Sequence, residues 1–524
     1  MGELVYHLFF LKEKKMALSR IHCVSLLGLE ALPVEVEVDV CNSEKLGMII
    51  VGLADTAVRE SKERVLAAIK NSGFQIGSIF STVNLAPGNL KKEGVFYDLP
   101  IAIGLLHSLG LLKDEGRHSD YLIVGELALS GQLRSISGAL AIAMMARAKG
   151  KKGLLLPAVN AKEAAMVTGI DVFAIHHLQE AVDFLKDPSS LAAVKAEVSS
   201  SFSQQGPPEI DFIDIKGQEH VKRALEVAAA GSHNIILSGP PGCGKTMMAK
   251  ALVGIMPELT LEEALEVTRI YSISGLLKEG QNLITKRPFR SPHHTVSYAG
   301  LVGGGAVPKP GEISLAHQGI LFLDELPEFS RPVLEMLRQP LEDGKISISR
   351  SQGRFTFPTT ILCVAAMNPC PCGFRGHPYK PCKDSERQIE KYIGKISGPL
   401  LDRIDMHIAV SALNHCEMEK NSSKESSEQI RKRVKEARHL QHYRFGKAKA
   451  NSQLTSAEIR RYCLLDAASQ ELMQMAAKAM DLSARAWDRI LRVARTIADL
   501  AGASQIDQVH LLEAINFRGP ISSL

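Results

Sequence analysis

Eight residues constrain this chain more than any others: GPPGCGKT, Gly239–Thr246, entered from the apolar run IILS and left through the helix former MMAKALVGIM. Such a turn needs a strand that ends in the loop and a helix that starts from it, so it commits the surrounding segment to an α/β fold with a parallel sheet. Gly239, Gly242 and Gly244, with Pro240, Pro241 and Cys243 between them, let backbone N–H groups face phosphate oxygens. Lys245 supplies a cation near the β- and γ-phosphates, and Thr246 reaches Mg²⁺. The alternative is a ligand-free glycine turn, in which strand, loop and helix agree by chance.

The sequence carries companions to that loop. GILFLDEL holds four apolar residues, Ile320 to Leu323, which read as a buried parallel strand ending in Asp324 and Glu325. An acid there holds the Mg²⁺ water shell, and the next polarises an attacking water. Strands ending in Asp-Glu are common as plain structure; the pairing with the loop makes this one notable. AAMNPCP sets Asn368 at the tip of another strand, where a neutral amide orients water without repelling phosphate, or merely opens a turn before Pro369.

GPLLDRIDMHI puts Arg403 between Asp402 and Asp405. It reads either as a surface ion pair, worth little, or as a finger donated to a neighbouring subunit's γ-phosphate. MDLSARAWDRILRVARTIADL reads as a helix capped by Ser483, with Arg485 in its first turn within reach of bound nucleotide. Arg489, Arg492 and Arg495 read as a solvated or partner-facing stripe.

Around these motifs the 524 residues divide into an α/β segment over 1–195, a Ser/Gln-rich linker over 196–209, a second α/β segment over 210–416 and a helical remainder over 417–524 that opens on the polar break MEKNSSKESSEQ. VEVEVDV, GMIIVGL and STVNLA read as strands, and AVRESKERVLAAIKNSG as a helix ended by Gly73. A net charge of +5 is too small to identify a polyanionic partner, so any basic surface has to be local. Nine scattered cysteines without a disulfide framework suit a reducing cytoplasm. The longest apolar run outside the opening residues, LPIAIGLLHSLGLL, is too short to span a bilayer, so no membrane partner is expected. The opening apolar run precedes its positive charges, the reverse of a secretory signal, and Met16 is a candidate start.

In this order the motifs resemble Walker A, Walker B, sensor Asn, arginine finger and lid Arg of an AAA+ ATPase. The interval FRSPHHTVSYAGLVGGG…VPKPGEISLAHQGILFLDEL resembles the magnesium-chelatase-like branch, and DGKISISRSQGRFTFPTTILC its hairpin before the sensor. VGLADTAVRESKERVLAAIKNSGF and NLAPGNLKKEGVFYDLPIAIGLL are similar to the YifB/ComM family, a resemblance that runs from about residue 17 to 520. It implies a Lon-protease-like N-terminal domain, an AAA+ core, a helical lid, ATP and Mg²⁺ as ligands, and a hexameric ring. For ComM-like members it implies a DNA helicase promoting branch migration during natural transformation. The competing readings are a magnesium-chelatase motor subunit and another remodelling ATPase. KKEGVFYDLP lacks the Gly-Pro-Ser-Ala-Gly serine of Lon peptidases, so proteolysis is not expected.

Two stretches stay open. For Arg290, His293, His294 and Lys309 the preferred reading is an insert facing a ring channel and touching the phosphate backbone of branched or single-stranded DNA. Lys345, Arg350 and Arg354 of the hairpin join them; plain structural packing is the alternative. A metal at the two histidines is not expected, since neighbours point apart and no acid shares their face. In CPCGFRGHPYKPCKD, Cys370, Cys372 and Cys382 with His377 could enclose Zn²⁺, but spare loop thiols are the favoured reading; Asp384 stands where related sequences carry a fourth Cys.

Overall fold

The computed structural model describes residues 18–195, 209–278, 280–305, 308–350, 353–412 and 425–519. Most of the expected linker, most of the polar break before the lid, and Met16 lie outside the described residues. The described chain forms two compact units. The first takes in the residues up to 195 together with 264–284, a segment that by sequence order falls within the second α/β stretch. The second takes in the rest.

In the first unit, Glu30–Asn42 pairs antiparallel with Ser19–Leu27 and with Ile79–Ala86, which pairs parallel with Gly47–Val51. VEVEVDV alternates because one sheet face is core: Val34, Val36, Val38 and Val40 are buried, and Asp39 is exposed. A second, parallel sheet joins Tyr121–Ile123, Gly153–Pro157 and Asp171–Ile175. The helix Thr56–Asn71 starts at Asp55, whose carboxylate accepts from Val58 N–H at 2.8 Å. It buries Val58, Val65, Ala68 and Ile69, and Gly73 turns left-handed just beyond it. LPIAIGLLHSLGLL supplies most of the helix Asp98–Ser108, which is apolar nearly all round because it is buried nearly all round. None of the described helices is long and apolar enough to cross a membrane.

The second unit is built on a five-stranded parallel sheet in the order Phe289–Arg290, Ile320–Leu323, Leu362–Met367, Ile235–Ser238, Met406–Ala409. Ile235–Ser238 sits between two parallel neighbours, and its four residues are fully buried, as are those of Ile320–Leu323. Strands covered on both faces read as unbroken apolar runs, which is why IILS and ILFL do not alternate. Parallel pairing sets all the strand ends that carry the nucleotide motifs along one edge.

Among the described residues five α-helices of seven to nineteen residues follow, the longest Ser427–Phe445. Capping is by sequence: Ser426, Thr455, Asp466, Ser483 and Asp507 each accept from a backbone amide of the first turn.

The helix Ala484–Leu500 corrects one expectation. Its arginines are not a solvated stripe. Arg495 is buried, donating to Asp499 at 3.1 Å and to the Ser504 carbonyl at 2.9 Å. Arg489 pairs with buried Asp405, and Arg492 donates to the Ser452 carbonyl at 3.2 Å. Arg489 and Arg492 find acceptors in distant sequence, whereas Arg495 is satisfied by Asp499 four residues on in the same helix and by a carbonyl just past its end.

Two buried histidines give this unit a pH dependence. Burial lowers His233 to about 4, and burial lowers His407 to about 4 as well. An unfolded histidine titrates near 6.5, so between about 6.5 and about 4 the unfolded chain binds protons that the folded chain refuses. Stability is therefore present above that window and is lost as pH falls through it, by up to about 2.7 kcal/mol per pH unit for the pair. Denaturant unfolding between pH 7 and 4.5 should show this slope, and His233→Gln with His407→Gln should flatten it.

Candidate nucleotide site

The strand Ile235–Ser238 delivers the chain into Gly239–Gly244, and the helix Lys245–Ile255 starts at once. Gly239 has no room for a side chain: a Cβ would lie 2.3 Å from the carbonyl oxygen of Val410, just past the neighbouring strand Met406–Ala409. Gly244 caps the helix with φ +88°, a conformation that glycine adopts without cost. The loop is thereby folded so that the helix's free amides open toward the cleft.

Lys245 lies inside this curl. Its ammonium donates to the carbonyls of Gly239 at 2.6 Å and Pro240 at 2.9 Å, and to Asn368 Oδ1 at 3.1 Å. Cys243 is buried, its sulfur 3.8 Å from the same ammonium. Burial lowers the lysine's pKa, while the charges of Asp324 and Glu325 act the other way. Thr246 donates its hydroxyl to Asp324 Oδ2 at 3.0 Å. Thr246 and Asp324, both expected at Mg²⁺, are thus neighbours across 78 residues of sequence.

Glu325 follows Asp324 with φ +52°, an uncommon backbone conformation for a residue with a side chain. Its N–H donates to Asp324 Oδ1 at 3.0 Å. Pro241, Gly242, Gly244, Lys245, Thr246, Asp324, Glu325 and Asn368 line one cleft of about 450 Å³. A cleft with main-chain amides, an ammonium, a hydroxyl, two carboxylates and an amide has the donors and acceptors that a Mg²⁺-bound polyphosphate requires.

Two arginines lie elsewhere. Asn234, Ile361 and Asp405 immediately precede parallel strands, and they line a cleft of about 750 Å³ with Glu342, Arg485 and Arg489. The phosphate loop, Asp324 and Asn368 immediately follow parallel strands, so the two clefts open at opposite edges of the sheet, separated by about 13 Å of strand. Arg485 therefore does not reach this chain's own phosphate loop, contrary to the expectation for the lid. Its guanidinium is 3.8 Å from Glu342, and Arg403 pairs with the same carboxylate. Arg403 is buried and also donates to the Pro399 carbonyl at 2.8 Å; it pairs with neither Asp402 nor Asp405. No signal in the sequence singled out Glu342.

The insert is folded differently from the expectation as well. Arg290 is held by Glu312 through two bonds of 2.6 and 2.7 Å. The rings of His293 and His294 lie 4.1 Å apart with 34° between their planes. A turn at 294–295 replaces the extended backbone that would have sent neighbours to opposite sides. An acid does share their face: His294 Nδ1 is 3.5 Å from Glu325 Oε2.

Lys309 is exposed on a short strand opposite Gly304. Lys345, Arg350 and Arg354 are exposed on the hairpin Lys345–Arg350 and Gly353–Pro358, whose alternate residues Ile346, Ile348, Phe355 and Phe357 are buried. Hairpin and insert meet, since a Cβ on Gly303 would lie 3.4 Å from Ile348, and one on Gly304 3.6 Å from the Arg350 guanidinium.

Three family models match: "Magnesium chelatase, subunit ChlI" over residues 211–418, "Subunit ChlI of Mg-chelatase" over 36–160, and "Magnesium chelatase, subunit ChlI C-terminal" over 424–518. "Competence protein ComM" of Haemophilus influenzae is 42% identical over 513 residues, covering 97% of this chain and 99% of the relative. "Uncharacterized protein YifB" of Escherichia coli is 42% identical over 504 residues, 96% of this chain and 97% of the relative. The chain belongs to the YifB/ComM family. It is a magnesium-chelatase-like AAA+ ATPase by that membership. "Lon protease 2" of Bacillus subtilis matches more narrowly, 28% identical over 168 residues that make up 31% of this chain and 30% of the relative.

The placement of the two cationic groups separates their effects. Lys245→Ala should weaken nucleotide binding to dilute chain by about 100-fold, from the loss of a charge-assisted contact. Arg485→Ala should leave it within about twofold, as expected of a distant site. Fluorescent-nucleotide titration at low protein concentration measures both.

Proposed function

We propose that the chain hydrolyses ATP to drive a ring of identical subunits, six by family resemblance, along branched or single-stranded DNA, and that it promotes branch migration during natural transformation. The observation that carries this reading is the contact between His294 and Glu325. It joins the insert with the basic hairpin to the carboxylate expected to activate water, so a polyanion bound there has a mechanical route to hydrolysis.

In this reading the amides of Gly239 to Gly244 and the Lys245 ammonium hold the phosphates, and Thr246 with Asp324 would hold Mg²⁺. A metal held there would supply neutralisation of the phosphate charge. Glu325 accepts a proton from the attacking water, and Asn368, already aimed at Lys245, orients that water beside the γ-phosphate. Arg403 and Arg485 both contact Glu342 at the strand ends opposite this chain's own phosphate loop, where a neighbouring subunit would present a phosphate to them. That placement favours assembly as a condition of turnover. Lys309, Lys345, Arg350 and Arg354 are exposed for sequence-independent phosphate contacts, whereas Arg290 is tied to Glu312 and is better read as a brace for the insert. Free thiols at all eight described cysteines and the use of ATP fit a cytoplasmic site of action.

A magnesium-chelatase motor subunit is the second reading, favoured by the descriptions of the matching family models. However, "Magnesium-chelatase 67 kDa subunit" of Chlorobaculum parvum matches over only 30% of this chain and 23% of its own length, at 26% identity.

ATP hydrolysis measured with and without four-way-junction DNA separates the two. Stimulation and junction unwinding are expected, and Glu325→Gln should lower hydrolysis at least about 100-fold while nucleotide still binds. Hydrolysis with neither stimulation nor unwinding would sink the motor and keep the ATPase. His293→Ala with His294→Ala should reduce DNA stimulation and spare nucleotide binding; equal loss of both counts against the coupling role of the insert.

A further inference from the structure

Three thiols and a carboxylate converge in the loop after Asn368. The sulfurs of Cys370, Cys372 and Cys382 form a nearly equilateral triangle, with one edge of 3.4 Å and two of 3.6 Å. Asp384 closes the group, its Oδ2 3.9 Å from the Cys382 sulfur, and all four donor atoms lie within 4.8 Å of one another. His377 is not among them: its Nδ1 accepts from the amides of Tyr379 and Lys380, both at 3.1 Å.

The sulfurs are too far apart for a disulfide, whose S–S bond is about 2.05 Å, and all three are free thiols. Their spacing matches a different chemistry. A tetrahedral ion with metal–sulfur bonds of about 2.3 Å requires sulfur–sulfur edges of about 3.8 Å. A metal at the centre would therefore spread this triangle by only a few tenths of an ångström. Three soft sulfurs and one oxygen in tetrahedral reach suit Zn²⁺ and not Mg²⁺, which takes six oxygens.

The surroundings fit the same ion. The Arg375 N–H donates to the Cys370 sulfur at 3.4 Å, and the Cys372 N–H donates to Asp384 Oδ2 at 2.8 Å, contacts that orient the donors. Arg375, Lys380 and Lys383 lie in the same short segment and offset the negative charge of three thiolates and a carboxylate. Cys370 is buried while the other three are half-buried, which leaves the ion a way in.

The loop also bears on the nucleotide cleft. Gly373 lies between the first two cysteines and the rest, with φ +81°. A Cβ there would lie 2.7 Å from Pro241 of the phosphate loop and 3.8 Å from the Asn368 side chain. We propose that Cys370, Cys372, Cys382 and Asp384 bind one structural Zn²⁺, which pins the loop carrying Asn368 against the phosphate loop. The metal assignment stands independently of the proposed function; the pinning rests on the nucleotide reading of Asn368 and Pro241.

The test is the metal content of the full chain, purified under reducing conditions and then re-equilibrated with Zn²⁺ before gel filtration. About one zinc per chain is expected. Cys372→Ser and Cys382→Ser should each weaken zinc binding at least ~100-fold. Asp384→Asn should weaken it less, and Asp384→Cys should keep full occupancy. Because serine variants can fail to fold, Co²⁺ titration of the metal-stripped wild-type chain provides a second reading, with a thiolate-to-cobalt charge-transfer band and a tetrahedral ligand-field spectrum expected. A chain that takes up neither Zn²⁺ nor Co²⁺ overturns the proposal, and so does wild-type zinc content in the folded serine variants. These readouts do not involve ATP, so failure here is distinguishable from failure of the motor reading.

Discussion

One buried ammonium organises the second unit. Lys245 is drawn inside its own loop by the carbonyls of Gly239 and Pro240 and by the side chain of Asn368. A cation out of bulk water requires acceptors on several sides, and these come from the start of the loop and from the residue just past the neighbouring strand Leu362–Met367. The same constraint explains the glycine at 239, where the Val410 carbonyl occupies the space of a side chain. Loop, sensor strand and outer strand are therefore mutually fitted, and a change in one is felt by the others.

The His294–Glu325 contact and the Cys370 cluster extend that fit in opposite directions. On one side, the insert brings an imidazole to a carboxylate whose backbone is already held at φ +52°. Backbone strain of this kind persists where surroundings over-determine it, and Asp324 does so by accepting the Glu325 amide. On the other side, Gly373 seats the cysteine loop on Pro241 and beside Asn368. The cleft is thus bounded by one element that could sense a partner and by another that a metal could stiffen. Neither lies in the eight-residue motif itself.

The two arginines illustrate how tertiary placement changes a role. In sequence, Arg403 read either as a surface ion pair with its flanking acids or as a finger for a neighbouring subunit, and Arg485 as a lid residue near nucleotide. In the fold both turn to Glu342 at the opposite sheet edge from the phosphate loop. The flanking acids are already engaged: Asp405 accepts from the Asn234 amide at 2.8 Å and pairs with Arg489, and Asp402 lies 3.7 Å from the Arg518 guanidinium. Buried Asp405 is taken by Arg489 and the Asn234 amide, which leaves Arg403 to the exposed carboxylate of Glu342.

The sequence alone determined the strand–loop–helix at Gly239, the buried strand before Asp324, the alternation of Val34 to Val40, and the helix caps at Ser483, Thr455 and Asp507. These are local: a turn that only glycine tolerates, a period of two or of 3.6 residues, and a side chain reaching an amide within one turn. Only the tertiary structure decided that Asp384 and not His377 joins the cysteines, that His294 faces Glu325, that Arg495 is buried, and that Arg485 lies at the far edge of the sheet. Each of those depends on which of several candidate partners the fold brings within reach, near or far in sequence, and that choice leaves no period to read.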